Sequence, residues 1–78
     1  MIEFIEYITK SLVDNDSAVN VKTEKEDAGT IVVHITVDKN DLGKVIGRNG
    51  KVANAIRTVA RAIARKEGNN RVVIKIDD

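Results

Sequence analysis

The spacing of apolar residues changes along this chain from helical to strand-like and back again, and this change constrains the fold more than any other feature. In the first segment, Ile5, Ile8 and Leu12 recur at intervals of three and four residues, while charged residues occupy the other side. This spacing predicts an amphipathic helix that ends near Asn15. From Val19 the apolar interval falls to two, which marks the start of extended structure.

Two strands account for the alternating segment. Apolar and polar residues alternate over residues 19–24, and the alternation resumes over residues 31–37 after the turn residues 27–29. This pattern predicts a hairpin. The second strand also carries Val32 on the opposite face, so we expect it to be the better buried of the two.

A short helix is predicted after the hairpin. Asp38 is placed to accept amide hydrogen bonds at a helix start, and Asp41 is expected to favour the positive end of the helix dipole. Gly47 and Gly50 interrupt this helix, so it is expected to be short.

A longer helix and a third strand complete the chain. The helix is expected over residues 51 to about 67, which are rich in alanine, and the β-branched residues 71–76 predict the strand. The apolar stripe expected on this helix consists of Val52, Ile56, Val59 and Ile63. Arg57, Arg61 and Arg65 are expected nearly opposite that stripe, on a solvated face, with contact to phosphates as the alternative.

The predicted order of elements is helix, strand, strand, helix, helix, strand. This order indicates a single two-layer α+β domain over residues 1–78, with a three-stranded sheet and the helices on one of its faces. A helical crossover, expected to be right-handed, leads to the last strand. The other face of the sheet is then expected to be more exposed and able to contact a protein. It carries Val32, His34, Thr36, Val73 and Lys75.

The composition limits the kinds of site that the chain can build. Its 78 residues include no cysteine and one histidine, which excludes a disulfide framework and a thiolate zinc site, so we expect no metal and no cofactor. Acidic residues Glu3 and Glu6 stand where a signal peptide would need basic ones. We therefore expect a cytoplasmic protein without membrane contact.

The near-neutral net charge of +1 conceals an uneven distribution along the chain. Residues 1–41 contain nine acidic and four basic side chains, whereas residues 42–66 contain seven basic and no acidic ones. A purely basic third is suited to a polyanion, and the acidic remainder limits indiscriminate binding. A solvated helix face is the alternative interpretation of the same residues.

The basic third contains the run Gly47-Arg48-Asn49-Gly50, where two helices are predicted to meet. Glycine can turn the chain through positive φ, and because it has no Cβ, a ligand backbone is expected to approach closely at both corners. Amides at such a turn and at the following helix start suit an anionic phosphate. Arg48 is expected to add mobile positive charge, more weakly supported by Lys44 and Lys51, and Asn49 to add hydrogen-bonding capacity.

Two nucleotide-binding motifs can be excluded from this run. A nucleotide-hydrolase loop needs a glycine at the position of Val45 and a serine or threonine at the position of Val52. The dinucleotide-binding fingerprint likewise requires glycine where Val45 stands. The loop is therefore expected to hold a sugar–phosphate backbone without cleaving it, and no catalytic residues are predicted.

The run from Ile46 to Gly50 between two helices resembles the signature loop of KH domains, and the order of elements matches the prokaryotic, type II arrangement. The resemblance covers essentially all 78 residues and is closest to the stand-alone bacterial KH proteins of the KhpA family. It includes the Gly-Lys-Val-Ile-Gly approach and the stretch from Ala55 to Val59. Ala53 is a departure, since many KH domains carry a larger apolar residue at that position.

The resemblance implies binding of single-stranded RNA, with the Gly47–Gly50 loop clamping about four nucleotides. Ile46 would lie on the floor of a groove for bases, although an ordinary core position is an equally good interpretation. Lys51 and Asn54 would reach the backbone or a base edge, and Arg57 is the best placed of the arginines for a phosphate contact.

The resemblance also implies partners and a cellular role. Proteins of this family form homodimers and pair with a larger KH-containing protein of the Jag or EloR type. They act as RNA chaperones or regulators that influence cell division and envelope growth. The competing hypothesis is a protein-interaction module in which the exposed sheet face and edge strand form the contact and RNA binding is incidental.

Overall fold

The computed structural model describes all 78 residues of the chain. The elements are helix α1 (Ile2–Leu12), strands β1 (Asn20–Asp27) and β2 (Thr30–Thr36), helices α2 (Leu42–Ile46) and α3 (Lys51–Lys66), and strand β3 (Arg71–Asp77). The predicted order of elements and the α+β class are confirmed.

The sheet has the order β1-β2-β3, with β1 antiparallel to β2 and β2 parallel to β3. A parallel pair cannot be joined by a tight turn, and here α2 and α3 provide the crossover. One row of the register runs Val21–Ile35–Ile76 across the three strands. Such rows face the helices, and α1, α2 and α3 contribute Ile5, Val45 and Ile56 to the same buried cluster. All three helices therefore cover one face of the sheet, as predicted.

The buried stripe of α3 differs from the predicted one. Ile56, Ala60 and Ala64 are the buried residues of this helix, at 3%, 0% and 0% exposure, whereas Val52, Val59 and Ile63 are only half-buried. The small alanine side chains let the helix lie close to the sheet, and the larger residues pack at its border. Alanine is too weakly apolar for the sequence pattern to mark it as the centre of a stripe.

The face of the sheet without helices is less open than predicted. Val32 is 4% exposed, because it lies on the central strand with Glu24 and Val73 as its cross-strand neighbours. His34, Thr36 and Val73 are half-buried, and only Lys75 of the expected set is exposed.

The more exposed apolar side chains lie on α1 instead. Tyr7 is 70% exposed and Phe4 is 46% exposed. None of the helices has the length and apolar content that crossing a membrane requires.

Asp41 joins the segment that follows α1 to the start of α2. Its carboxylate accepts hydrogen bonds from the backbone N–H groups of Asn15 (3.1 Å) and Asp14 (3.3 Å), and the Lys44 ammonium lies 3.4 Å away. The Asn15 N–H, with these other donors, holds the pKa of Asp41 below its usual range. Asp41 is the N-cap residue of α2, but its side chain makes no capping bond, so its main contact is with the segment that follows α1 rather than with the dipole predicted for it.

Replacing Asp41 by asparagine removes the charge and places an amide donor against backbone donors. We expect Asp41→Asn to lower the urea midpoint of unfolding at neutral pH. Because the folded state lowers the pKa of Asp41, the stabilisation is complete above about pH 4 and is lost as the pH falls through the folded-state value. Urea unfolding followed by circular dichroism, at neutral pH and at about pH 2.5, should show the difference between the two proteins shrinking in acid. An equal difference at both pH values would contradict this role of the carboxylate.

Candidate nucleic-acid interface

A left-handed corner joins α2 to α3. Gly47, Asn49 and Gly50 have φ values of 77°, 57° and 75°. Positive φ at the two glycines is the predicted conformation. The sequence pattern indicated Asn49 only as a hydrogen-bonding residue, but asparagine is also the side chain that best tolerates this region after glycine. Three positive φ values within four residues reverse the chain sharply between the helices.

The two glycines of the corner have different roles. A Cβ on Gly47 would lie 2.5 Å from Val52 Cγ2 and 2.8 Å from the Val52 nitrogen, so this glycine allows the corner to close against its own helix. A Cβ on Gly50 would meet nothing within 4 Å, so the space beside it is open to solvent. The expectation that a ligand could approach closely at both corners is therefore wrong for Gly47, and at Gly50 it stays a prediction for which the space is available.

Helix α3 begins at the open side of this corner. Its N-cap residue is Gly50, no side chain caps the helix, and no acidic residue occupies its first turn. The N–H groups of Gly50 and Lys51 donate to the carbonyl oxygens of Gly47 and Arg48, and the following turn carries the positive end of the helix dipole. This helix start can therefore receive an anion from outside. Arg48 and Asn49 are both exposed beside it.

A groove runs next to the corner, between α3 and β3. Its volume is about 300 Å³, and it is lined by Ile46, Ala53, Asn54, Arg57, Ile74 and Ile76. Ile46 is 38% exposed and lies outside the buried cluster, which favours the groove position over the core position. Ile74 and Ile76 were not among the predicted site residues, because the β-branched run over residues 71–76 indicated only a strand.

Two of the predicted contact residues are linked along the α3 wall of this groove. The Arg57 guanidinium donates a hydrogen bond to the Asn54 side-chain oxygen. Both residues are exposed, as is Lys51 at the first position of α3. The polar wall of the groove thus contains a guanidinium and an amide above an apolar floor.

The positive charge of Lys44 is compensated by carboxylates, unlike that of the other basic residues in the range 42–66. Its ammonium pairs with the carboxylates of Asp14 and Asp41, and hydrogen bonding to Asp14, followed by that to Asp41, raises the pKa of Lys44. It is the only basic side chain of residues 42–66 that forms an ion pair. Arg48 and Lys51 therefore carry uncompensated charge at the corner.

The arginines of α3 do not lie opposite its buried face. Arg57, Arg61 and Arg65 each follow a buried residue by one position, which rotates them by about 100° from the buried stripe. They line a second groove of about 510 Å³ together with the start of β3. The arginines were wrongly predicted to lie opposite the buried face of α3. The direction of that face was inferred from Val52, Val59 and Ile63, whereas the buried alanines define it.

Comparison with known proteins identifies the family. A family described as the KH domain of KhpA and KhpB matches residues 2–76. The chain belongs to this family. A protein of Aquifex aeolicus named RNA-binding protein KhpA is 47% identical over 74 residues, which cover 95% of this chain and 91% of that protein. A protein of the same name from Clostridium perfringens is 46% identical over 76 residues, covering 97% of this chain and 99% of its own. The resemblance found in the sequence is thereby confirmed.

Solved structures support the fold. A crystal structure of Aquifex aeolicus Era, bound to GDP and aluminium fluoride, superposes with a TM-score of 0.75 at 18% identity. A structure of Era in complex with a GTP analogue and nucleotides 1506–1542 of 16S ribosomal RNA superposes with a TM-score of 0.70 at 19% identity. Both alignments cover 97% of this chain but only 29% of the Era chain. At these identities, the likeness concerns the fold of one segment of Era.

The different roles of the two glycines can be tested by substitution. Gly50→Ala places a side chain in a left-handed but open position and should lower the free energy of unfolding by about 1–2 kcal/mol. Gly47 combines a φ of 77° with a ψ of 171°, a conformation that is essentially restricted to glycine, and its Cβ would also meet Val52. Gly47→Ala should therefore cost more, about 2–5 kcal/mol. Urea unfolding measures both values, and equal losses would contradict the assignment.

Proposed function

We propose that this protein binds single-stranded RNA at the Gly47–Gly50 corner and has no catalytic activity. The observation that carries the proposal is the uncapped start of α3, which opens beside Gly50 and next to a groove with an apolar floor. A helix start of this kind suits a phosphate, and the adjacent groove suits the bases attached to it. The RNA-binding relatives support the same conclusion.

Each residue of the site has a proposed task. The positive end of α3 holds a phosphate, Arg48 and Lys51 add charge around it, and Asn49 bonds to the sugar–phosphate backbone. Bases of about four nucleotides lie in the adjacent groove. Ile46 forms part of its floor, and Asn54 and Arg57 reach base edges or the backbone from its wall.

Lys44 has a smaller proposed share in binding than the sequence indicates. Two carboxylates already compensate its charge, so we assign it mainly to the junction between α1 and α2. The small side chain of Ala53 leaves room above the groove floor. The chain has only two aromatic residues, Phe4 and Tyr7, and neither lines this groove, so base stacking contributes little. We therefore expect weak binding by one domain alone.

The wider role that we propose follows from the family. An RNA-binding domain of this size, without machinery for cleavage, is suited to act in the cytoplasm as an RNA chaperone or post-transcriptional regulator, linked in this family to cell division and envelope growth. A homodimer, or a heterodimer with a larger KH-containing protein of the Jag or EloR type, would bring two such corners together and increase the affinity through linkage.

The double variant Arg48→Asp with Asn49→Asp tests the proposed site. Both side chains are exposed, and aspartate tolerates the left-handed conformation of position 49, so thermal unfolding should change little. Repulsion of phosphate should weaken binding of a short oligoribonucleotide by about tenfold or more, measured by fluorescence anisotropy.

A matched control places the same changes on a distant strand. Lys22→Asp with Asn20→Asp alters the net charge equally, and both residues are exposed on β1. This control should retain most of the affinity. Equal affinity of the Arg48/Asn49 variant and the original protein would refute the assignment of the corner.

The proposed protein contact is better placed on the helical layer than on the sheet. An entirely apolar groove of about 220 Å³ lies between α1 and α3, lined by Ile8, Leu12, Val52, Ala55, Ile56 and Val59. The sheet face, by contrast, has Val32 buried and Lys75 exposed. We therefore propose that a homodimer forms through α1 and α3. This contact is compatible with RNA binding, because the proposed RNA site lies on the side of α3 that faces β3.

Sedimentation can locate this contact. We expect the original protein to associate as its concentration rises towards about 1 mM, the Kd range of a weak contact. Leu12→Lys should shift it to the monomer, because it places a charge in the apolar groove. Val73→Lys makes the same kind of change on the sheet face and should leave association intact. A protein that stays monomeric throughout, or dissociation by Val73→Lys alone, would contradict the helical interface.

A further inference from the structure

The second groove between α3 and β3 is a continuation of the first. We call it the arginine groove: Arg57, Arg61 and Arg65 form its helical wall, and Arg71, Val72 and Ile74 contribute from the edge strand β3. Arg57 and Ile74 also line the groove beside the corner. The two cavities therefore form one trough, which leads from the glycine corner along α3 to the start of β3.

The arginine groove carries a concentrated, uncompensated positive charge. None of its four arginines forms an ion pair, although the pKa of Asp27 is lowered mainly by a backbone hydrogen bond and, more weakly, by the nearby charge of Arg71. Arg57, Arg61 and Arg65 therefore carry the uncompensated charge of the groove. Arginine is weakly hydrated and presents a planar set of donors that matches phosphate oxygens. A polyanion is thus the ligand class that this groove would bind.

The length of the arginine row matches several consecutive phosphates of a nucleotide strand. Residues four apart on a helix are separated by about 6 Å along its axis, so Arg57 and Arg65 are about 12 Å apart. At an axial spacing of about 3.4 Å per phosphate, a stacked strand would place three to four phosphates along this length, and an extended strand would place fewer. An acidic protein segment would not need this regular spacing, and it would not explain the connection to the corner.

We propose that the arginine groove binds the phosphates of nucleotides that extend beyond those held at the Gly47–Gly50 corner, without regard to their bases. The inference rests on the proposed function, since it concerns the path of the same RNA strand. It adds a second backbone site to the first. Affinity should therefore increase with oligonucleotide length and should depend strongly on salt, because each neutralised phosphate releases counterions.

Fluorescence anisotropy with labelled oligouridylates of about 4 and about 12 nucleotides tests the proposal over a series of salt concentrations. The original protein should bind the longer strand about a hundredfold more tightly, which exceeds the roughly ninefold gain that the additional registers of a four-nucleotide site supply. Arg61→Ala with Arg65→Ala should reduce the gain to about that statistical factor and lower the salt slope by about 1.4, or about 0.7 for each phosphate that the variant no longer neutralises. The affinity for the short strand should not change. Alanine is a good helix former, so this variant should remain folded.

A matched pair of single variants sharpens the test. Arg65 and Lys66 are exposed neighbours at the end of α3 with the same charge, but only Arg65 lines the groove. Arg65→Ala should weaken binding of the longer strand, and Lys66→Ala should not. Equal effects of the two would show that only net charge matters, and the proposal would be overturned.

The remaining outcomes separate the two proposals. If the short strand binds normally and the arginine variant binds the longer strand like the original protein, the groove proposal fails while the corner assignment stands. If neither strand binds the original protein, the proposed function itself fails. If an oligoglutamate peptide binds through Arg61 and Arg65 while the longer strand gains no affinity, the groove is a site for acidic proteins, and the proposal is overturned.

Discussion

The structure depends on a backbone conformation at Gly47 that other residues cannot adopt at acceptable cost. With φ at 77° and ψ at 171°, the chain leaves α2 and returns so closely that Val52 fills the position where a side chain would begin. This close return places the start of α3 at the surface, with open space beside Gly50 and with Arg48, Asn49 and Lys51 exposed. The conformation therefore sets both the packing of the two helices and the position of the candidate binding site.

The same helix serves the core and the surface. Ile56, Ala60 and Ala64 bring α3 against the sheet, and the residue after each of them is an arginine. Because α3 lies close to the edge strand, these arginines border a trough instead of projecting freely into solvent. The buried residues recur every four positions along α3, and so do the arginines that follow them. The same spacing therefore produces both the contact with the sheet and the basic groove.

Much of the fold could be predicted from the sequence, because its elements have regular apolar spacing and end at strong signals. The hairpin, the last strand and the positive φ of Gly47 and Gly50 were confirmed on this basis. What could not be predicted depends on contacts between distant segments. Asp41 contacts backbone groups 26 and 27 residues earlier in the chain, and nothing in its neighbourhood indicates this.

The residue types of the candidate site could be predicted from the sequence, but their arrangement around α3 could not. The glycines, Arg48 and Lys51 stand out in the sequence because they share an acid-free segment. The side of α3 on which the arginines lie depends on which apolar residues reach the sheet, and alanine gives too little signal to decide this. Nor did the pattern indicate that Lys44 would form an ion pair with Asp14, because the two residues are distant in the sequence and meet only in the folded structure.

The most direct test of the central claim is a titration of the ¹⁵N-labelled protein with a short single-stranded oligoribonucleotide, followed by amide NMR signals. We expect the signals of residues 47–50 and of the first turn of α3 to shift progressively and saturably, while those of β1 remain in place. If the amides of residues 47–50 do not shift while the RNA binds elsewhere, or if no signal of the protein shifts, the corner is not the binding site and the central claim is contradicted.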